Sequence, residues 1–469
     1  MPLSRTANPA ASAADAASRT KVRYVILALI FVITTLNYAD RATLSVTGSA
    51  MRAEFGFDAI RMGYIFSAFS WAYVLSQLPA GWILDRFGAR RVYATSIFLW
   101  SLFTLLQSAI GVLGSTAAAV AALFALRFVM GAAEAPAFPA NAKVVASWFP
   151  TQERGTASAI FNSAQYFAAV VFTPLMAWVT HAYGWHHVYL MMGVAGLLLA
   201  FVWLKVMKNP ANHPGVNPQE LEYIEQGGGL VNGHLRKSRA AGHAGQAGQA
   251  GQAGQAGQTP AAGNGWRIMR QLLSNRMLLG VYLAQYCINV ITYFFLTWFP
   301  IYLVQARGMT ILQAGLVASL PAVCGFLGGV LGGVISDSLI RAGCSLTLAR
   351  KAPIVGGMAL SACIVGCNYV QSDWLVVLLM SLAFFGKGIG ALGWAVVADT
   401  APKEAIGLSG SIFNMFGNVA GIVTPIVIGY LVAKTGSFDG ALAFVGVNAV
   451  ITVISYLVIV KEIKRVELV

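Results

Sequence analysis

Five ionisable side chains lie deep inside apolar stretches: Asp40 with Arg41, Arg127 with Glu134, and Lys387. A charge at mid-bilayer costs about 3 kcal/mol or more, so each needs a partner or a task. Asn37 and Tyr38 precede Arg41 by four and three residues, which puts all three on one helical face. Asp40 is turned about 100° from that face. An arginine beside a phenol and an amide suits a carboxylate, because its planar fork offers two parallel hydrogen bonds. The competing reading is a permanent ion pair between helices. Arg127 and Glu134 are seven residues apart, on one face but two turns distant, so they do not pair directly. Asp40 is the natural partner for Arg127. Glu134 sits in Gly-Ala-Ala-Glu-Ala-Pro, where small neighbours and Pro136 open the helix. A carboxyl there is suited to taking up and releasing a proton. The structural reading is stronger for Asp40 than for Glu134.

Lys387, Gly390, Ala391 and Trp394 follow i, i+3, i+4, i+7 spacing, which predicts one continuous face. That face would carry a cation, two small residues and an indole plate for the CH side of a sugar. The alternative is a glycine-rich helix interface with Lys387 snorkelling to the surface, which its mid-span position opposes. Arg41 and Lys387, well separated, suit a molecule with a carboxylate at each end. Neutral polar residues supply donors and acceptors for hydroxyls: Tyr73, the group Asn162, Gln165 and Tyr166, and the pair Asn414 and Asn418. A further stripe holds Tyr282, Gln285, Tyr286, Asn289 and Tyr293. Any one of these also works as interhelical glue.

The elements that position these groups follow from composition. Of 469 residues, 57% are hydrophobic and 10% charged, against roughly 25% charged in a soluble domain. That excludes disorder, a disulfide scaffold and a soluble enzyme. The net charge of +14 lies between long apolar runs and not on a polar surface, so nucleic acid is excluded as a partner. The five cysteines are scattered and read as small apolar residues.

A crossing helix needs about 20 apolar residues. Twelve candidate spans lie near 24–46, 62–84, 92–112, 116–140, 155–178 and 186–206, then 278–304, 312–338, 353–370, 374–398, 407–433 and 440–461. The fold class is all-α integral membrane. Of the 31 Lys+Arg, 24 fall on the side of the termini, and only Arg52, Arg61, Arg307 and Lys434 on the other. The positive-inside rule makes both termini cytoplasmic. Residues 1–22 form a tail, 23–206 a first half, 207–276 a linker, 277–463 a second half and 464–469 a short tail. The linker opens with an acidic helical stretch and continues into an Ala-Gly-Gln repeat that reads as a tether.

The halves repeat. Gly81-Trp-Ile-Leu-Asp85-Arg86 is echoed by Gly333-Val-Ile-Ser-Asp337, and Ile160-Phe161-Asn162 by Ile412-Phe413-Asn414, both at a spacing of 252 residues. A parallel repeat of two six-helix halves is an architecture of secondary transporters. GWILDRFGARR (81–91) resembles the loop 2–3 signature of the major facilitator superfamily. NYADR (37–41), RFVMGAAEAPAFP (127–139), SWFPTQERG (147–155) and FFGKGIGALGW (384–394) resemble its anion:cation symporter branch. Within that branch the chain is similar, along nearly its whole length, to bacterial D-glucarate/D-galactarate transporters.

The resemblance implies a proton-coupled symporter of sugar-acid anions working by alternating access in the bacterial inner membrane. It implies Arg41 as the anion-binding residue and Asp40 and Glu134 as proton carriers, with Arg127 beside them. It favours Tyr38, Gln165, Trp394 and Asn414 as substrate ligands, joined by Asn37, Tyr73, Asn289 and Lys387 from the residue reading. Asp85, Arg86, Arg90 and Asp337 lie outside the pore and are expected to gate it by pairing between the halves, with Asp399 and Glu404 as further members. No cofactor, metal or catalytic residue is expected: the six histidines are outside the spans or at their edges, and no HExxH or GxSxG context appears. The chain is expected to act as a monomer. Alternatives are an aldonate or hexuronate symporter of the same branch, a drug/proton antiporter, which Arg41 and Lys387 together disfavour, and an intramembrane enzyme.

Overall fold

The computed structural model describes residues 19–231, 262–402 and 405–468. The tail before residue 19, the Ala-Gly-Gln repeat, Glu404 and the Asp85 side chain lie outside the described residues. Every regular element among the described residues is helical. In hydrocarbon only a helix satisfies each N–H and C=O within one segment, which is why the apolar runs fold this way.

Ten helical stretches are long and apolar enough to cross a membrane. They are span 1 (Val22–Phe55), span 4 (Thr116–Trp148), span 5 (Arg154–Tyr183), span 6 (Trp185–Val206) and span 7 (Arg276–Thr297). The others are span 8 (Ile311–Arg341), span 9 (Leu346–Tyr369), span 10 (Asp373–Thr400), span 11 (Leu408–Thr435) and span 12 (Asp439–Val460). Helices Ala59–Phe87, of 29 residues, and Ala89–Gln107, of 19, occupy the expected places of spans 2 and 3. Side chains of Asp58, Ser115, Asn275, Thr310 and Ser345 accept the N-terminal cap hydrogen bonds. Gly88 and Gly184, at φ 82° and 89°, turn the chain between spans 2 and 3 and between spans 5 and 6.

Spans 4 and 10 are broken within their length, and span 7 continues past its end into a short helix. Span 4 divides into Thr116–Glu134 and Ala137–Trp148 around Pro136, whose ring nitrogen has no proton for the helical ladder. Span 7 ends at Trp298, just before Pro300. Span 10 divides without a proline, into Asp373–Ile389 and Gly393–Thr400. This corrects the continuous face expected from Lys387 to Trp394: Lys387 ends one piece and Trp394 begins the next. Glycines are the cause. A Cβ on Gly386 would lie 2.4 Å from the Gly357 carbonyl oxygen of span 9, and one on Gly388 2.3 Å from that of Gly325 in span 8. This stretch fits its neighbours' backbones closely and has weak helical preference of its own.

Packing repeats the sequence symmetry. In the first half span 1 packs on 5, 2 on 4 and 3 on 6; in the second, 7 packs on 11, 8 on 10 and 9 on 12. The halves meet through spans 2 with 11 and 5 with 8, pairs that the same relation exchanges. At the end away from the termini the seam is backbone-tight. A Cβ on Gly63 would stand 2.5 Å from the Pro425 carbonyl oxygen, and one on Gly429 2.5 Å from that of Ala59. Arg52 Nη1 donates to Gln305 Oε1 at 2.6 Å across this seam, and the Tyr64 and Tyr430 hydroxyls stand 3.1 Å apart.

At the other end, the helix Pro218–Gln226 docks on the first half. Its Glu220, fully buried, accepts from Thr20 Oγ1 at 2.6 Å and from Arg23 Nη1 at 3.1 Å. Arg23 Nε reaches Glu153 at 3.1 Å, and the Tyr223 hydroxyl donates to Glu153 at 2.7 Å. That hydrogen bond holds the Tyr223 phenol above its ordinary pKa. The start of the linker is therefore a docked part of the first half.

The seam yields a contrast within span 2. Gly63→Ala must push apart two backbones and should destabilise the purified protein by about 1–3 kcal/mol. Gly81→Ala, with nothing within 4 Å of the new Cβ, should be neutral or slightly stabilising. Thermal unfolding in detergent measures both.

Candidate functional site

Span 1 runs unbroken past the break in span 4, and this brings Arg41 level with the end of Thr116–Glu134. Arg41 Nε meets Glu134 Oε2 at 2.8 Å. The Glu134 side chain is fully buried, and that of Arg41 keeps about 10% of its surface open. The guanidinium lies over three rings, Tyr38, Phe69 and Tyr73, at 5.0, 4.8 and 5.0 Å from their centroids. Asn37 is buried beside the Glu134 carboxylate rather than in the open part of the site.

This pairing corrects the expectation that Arg127 would take Asp40. No ion pair forms between them within 4 Å. Arg127 Nη2 instead donates to the Arg41 carbonyl oxygen at 3.4 Å, while its Nε and Nη1 have no hydrogen-bond partner among the described residues. Both Asp40 carboxyl oxygens are likewise buried and unpartnered. The spacing told which face each residue occupies. It did not tell the depth at which two helices cross, and that depth assigns Glu134 to Arg41.

The second half contributes from spans 7, 10 and 11. Lys387 is buried, its Nζ 5.1 Å from the Phe384 ring centroid, with no acidic partner among the described residues. Trp394 is half-buried and stands edge-on to Phe413 at 5.0 Å. Gly393 and Gly417 make room for Gln285 and Asn289, whose side-chain atoms would lie 2.8 and 2.5 Å from a Cβ at those glycines. The Tyr293 hydroxyl donates to Asn418 Oδ1 at 3.1 Å, and Asn418 Nδ2 to Asn414 Oδ1 at 3.2 Å. Tyr293 also faces Arg41, Tyr73 and Ser70, so it joins the two halves at the cation. A cavity of about 20 Å³, lined in part by Arg41, Ser70, Arg127 and Tyr293, adjoins this junction. On the span 5 side, Gln165 donates to the carbonyl of Asn162 at 3.2 Å.

The structure thus gathers Arg41, Tyr38, Tyr73 and Glu134, with Tyr293 reaching them from span 7. Asn289, Trp394 and Asn414 pack within the second half, against Gly417, Phe413 and Asn418. Phe69 and Ser70 were missed, although Phe66, Phe69, Ser70 and Tyr73 carry the i, i+3, i+4, i+7 signal of one face. Tyr282 proves to be a packing residue, its hydroxyl 2.9 Å from Ser409 Oγ in a buried contact.

Of the residues expected to gate, Arg86, Arg90 and Asp337 make their contacts within their own halves. Asp337 lies 3.9 Å from Arg350 Nη1, and Arg350 Nε bonds Asp399 at 2.8 Å. Arg90 donates to the Leu204 carbonyl at 2.7 Å, and Arg86 rests over Trp82 at 5.2 Å. The direct polar contacts between transmembrane halves described above are at the opposite end, through Arg52 and Tyr64.

Known proteins resemble this chain along nearly its whole length. A galactarate/D-glucarate transporter of Bacillus subtilis (strain 168), named as probable, is 59% identical over 458 residues, covering 98% of this chain and 96% of the relative. One from Escherichia coli (strain K12), also named as probable, is 58% identical over 457 residues, covering 97% of each. A D-galactonate transporter of Escherichia coli O6:H1 is 39% identical, with 96% and 99% coverage. The solved structure of a D-xylose-proton symporter superposes with a TM-score of 0.69 at 14% identity, covering 94% of this chain and 98% of the other, and so shares the fold. Residues 30–350 match the Major Facilitator Superfamily directly. All-helical among its described residues, the chain belongs to the Major Facilitator Superfamily and is a multi-pass membrane transporter rather than an enzyme.

Proposed function

We propose that this transporter imports D-glucarate and D-galactarate with protons, by alternating access across a bacterial inner membrane. Relatives at 59% and 58% identity bear galactarate/D-glucarate names, which supports the substrate class. One observation carries the coupling: the 2.8 Å contact of Arg41 with Glu134. A proton on Glu134 ends the ion pair and frees the guanidinium. A substrate carboxylate then takes the vacated fork through charge-assisted hydrogen bonds. Proton and substrate therefore bind together, because either alone leaves a charge unmatched in a low-dielectric place.

Tyr38 and Tyr73 hold the guanidinium from its faces. Lys387 is assigned to the second carboxylate, and Gln165, Asn289, Trp394 and Asn414 to the hydroxylated chain between. Asp40, Glu134 and Arg127 form the proton-coupling group. The D-galactonate transporter at 39% identity supports the second reading, an aldonate or hexuronate symporter of the same kind.

The end bearing the termini, with 24 of the 31 Lys+Arg, is assigned to the cytoplasm. The seam at Gly63 and Gly429 then closes the outer side. In the opposite state Asp85, Arg86, Arg90 and Asp337 are assigned to pairs between the halves that close the inner side. The protein acts as a monomer.

Energetics set the proton number. Importing two negative charges against about 100 mV costs about 4.6 kcal/mol, close to a thousandfold in concentration. Two protons cancel that charge, and Asp40 and Glu134 provide two sites. A counterflow panel of sugar acids with purified protein tests the reading directly, and exchange of mono-acids in preference to aldarates would select the second reading.

Three outcomes follow. Aldarate flux balanced against imposed pH gradients and potentials in liposomes should give at least two protons per aldarate, and a ratio of one would contradict the scheme. Glu134→Gln, which mimics the protonated acid, should abolish uptake driven by a pH gradient while retaining counterflow. Lys387→Asn should weaken binding of aldarates by about tenfold or more, the worth of a charged hydrogen bond, and leave mono-acids nearly unaffected in competition assays.

A further inference from the structure

Buried polar atoms without a hydrogen-bond partner among the described residues are very unevenly distributed. Of the sixteen such side-chain atoms, only those of Asn368 and Thr424 belong to the second half. Leaving a buried polar group unsatisfied costs about 1–3 kcal/mol each. Their concentration between spans 1, 3 and 4 therefore calls for a shared explanation.

Asp40 is the centre of that group. It is fully buried with both oxygens unpartnered. The Trp100 indole N–H of span 3 interacts with it without a well-aligned direct hydrogen bond, and the Arg127 guanidinium of span 4 faces it without closing one. Donors and an acceptor that face one another without meeting are the geometry that bridging water satisfies. Glu134, also on span 4, and the Tyr189 phenol of span 6 are the other titratable groups facing Asp40 from packed helices.

A row of hydroxyls leads from Asp40 toward the outer end. Thr43 and Thr47 follow on the same face of span 1. The Tyr189 hydroxyl stands 3.2 Å from Thr47 Oγ1, both fully buried or nearly so. Beyond Met51, on the same face, Glu54 accepts from Trp185 Nε1 at 2.6 Å at the exposed outer surface. Nothing in the substrate site described above uses Thr47, Tyr189 or Glu54.

We propose that protons reach Asp40 from the outer surface through the interior of the first half, by way of water and the Tyr189–Thr47 hydroxyl pair, separately from the substrate. This rests on the proton-coupled reading above. In each hop a hydroxyl gives up its own proton as it accepts the next, so no charge stays on Tyr189 or Thr47 and the net result is one proton added to the Asp40 carboxylate.

Tyr189→Phe and Thr47→Val keep shape and remove one hydroxyl each. Both should slow uptake driven by a proton gradient by about tenfold, within the usual range of coupling between sites, while aldarate counterflow, which needs no net proton movement, stays near wild type. Tyr93→Phe, removing another buried and unpartnered phenol of the same half, should leave both assays unchanged. Proton-driven uptake equal to wild type in Tyr189→Phe and Thr47→Val would overturn the route. So would an equal loss of counterflow, which marks a structural role. If the wild-type protein itself shows no proton-driven uptake, the proposed coupling fails and the route with it. If only the variants behave as wild type, the coupling stands and the route alone falls.

Discussion

An arginine and a glutamate facing each other at 2.8 Å, one fully buried and the other nearly so, organise the molecule. Neither charge is tolerable alone at that depth. The pair can exist only if span 4 ends its first piece at Glu134 and span 1 carries Arg41 to the same level. The break at Pro136, the small residues around Glu134 and the aromatic rings stacked on the guanidinium all serve that meeting. What replaces one partner must bring equal charge or remove the need for it.

Around this pair the two halves are alike in backbone and unlike in chemistry. The spacing of 252 residues that relates Asp85 to Asp337 also relates Asn37 to Asn289 and Arg41 to Tyr293. Both breaks, in spans 4 and 10, stand at related depths. Yet where the first half places an arginine, the second places a phenol that reaches back toward it. The unsatisfied polar atoms lie almost wholly in the first half, while the second offers amides, an indole and one lysine. Duplication supplied a symmetric frame, and the side chains divided the work between its parts.

Much of this was legible in the sequence. The spans, the repeat and the five intramembrane charges follow from hydropathy and spacing, because a bilayer enforces them strictly. Arg41 with Tyr38 was legible because one helix sets their face. The partner of Glu134 was not, since helix periodicity carries rotation but no depth across a helix pair. The break in span 10 was not legible either: Gly386, Gly388 and Gly390 are equally compatible with a continuous tight-packing helix, and only contact with Gly357 and Gly325 distinguishes the two. The gate residues were recognisable as charged loop groups, but their partners depend on which end of the bundle is closed. The docked helix Pro218–Gln226 was expected as a helix; its burial of Glu220 against Arg23 needs a tertiary contact that no local pattern encodes.

Lys387 occupies the last turn of Asp373–Ile389. Of the carbonyls that end that piece, those of Gly386 and Gly388 accept from the Gly390 and Ala391 N–H groups, and the helix dipole still favours a cation at this point. Arg41 already has a buried carboxylate beside it, whereas Lys387 has none among the described residues. The two cations thus differ in kind, one already matched by an internal counter-ion and the other without one among the described residues. On the proposed assignment, a ligand with a carboxylate at each terminus would meet a socket with a fixed head and tail. Two stereoisomers with the same charge and length would then differ, on that assignment, in the order in which their hydroxyls run between those ends.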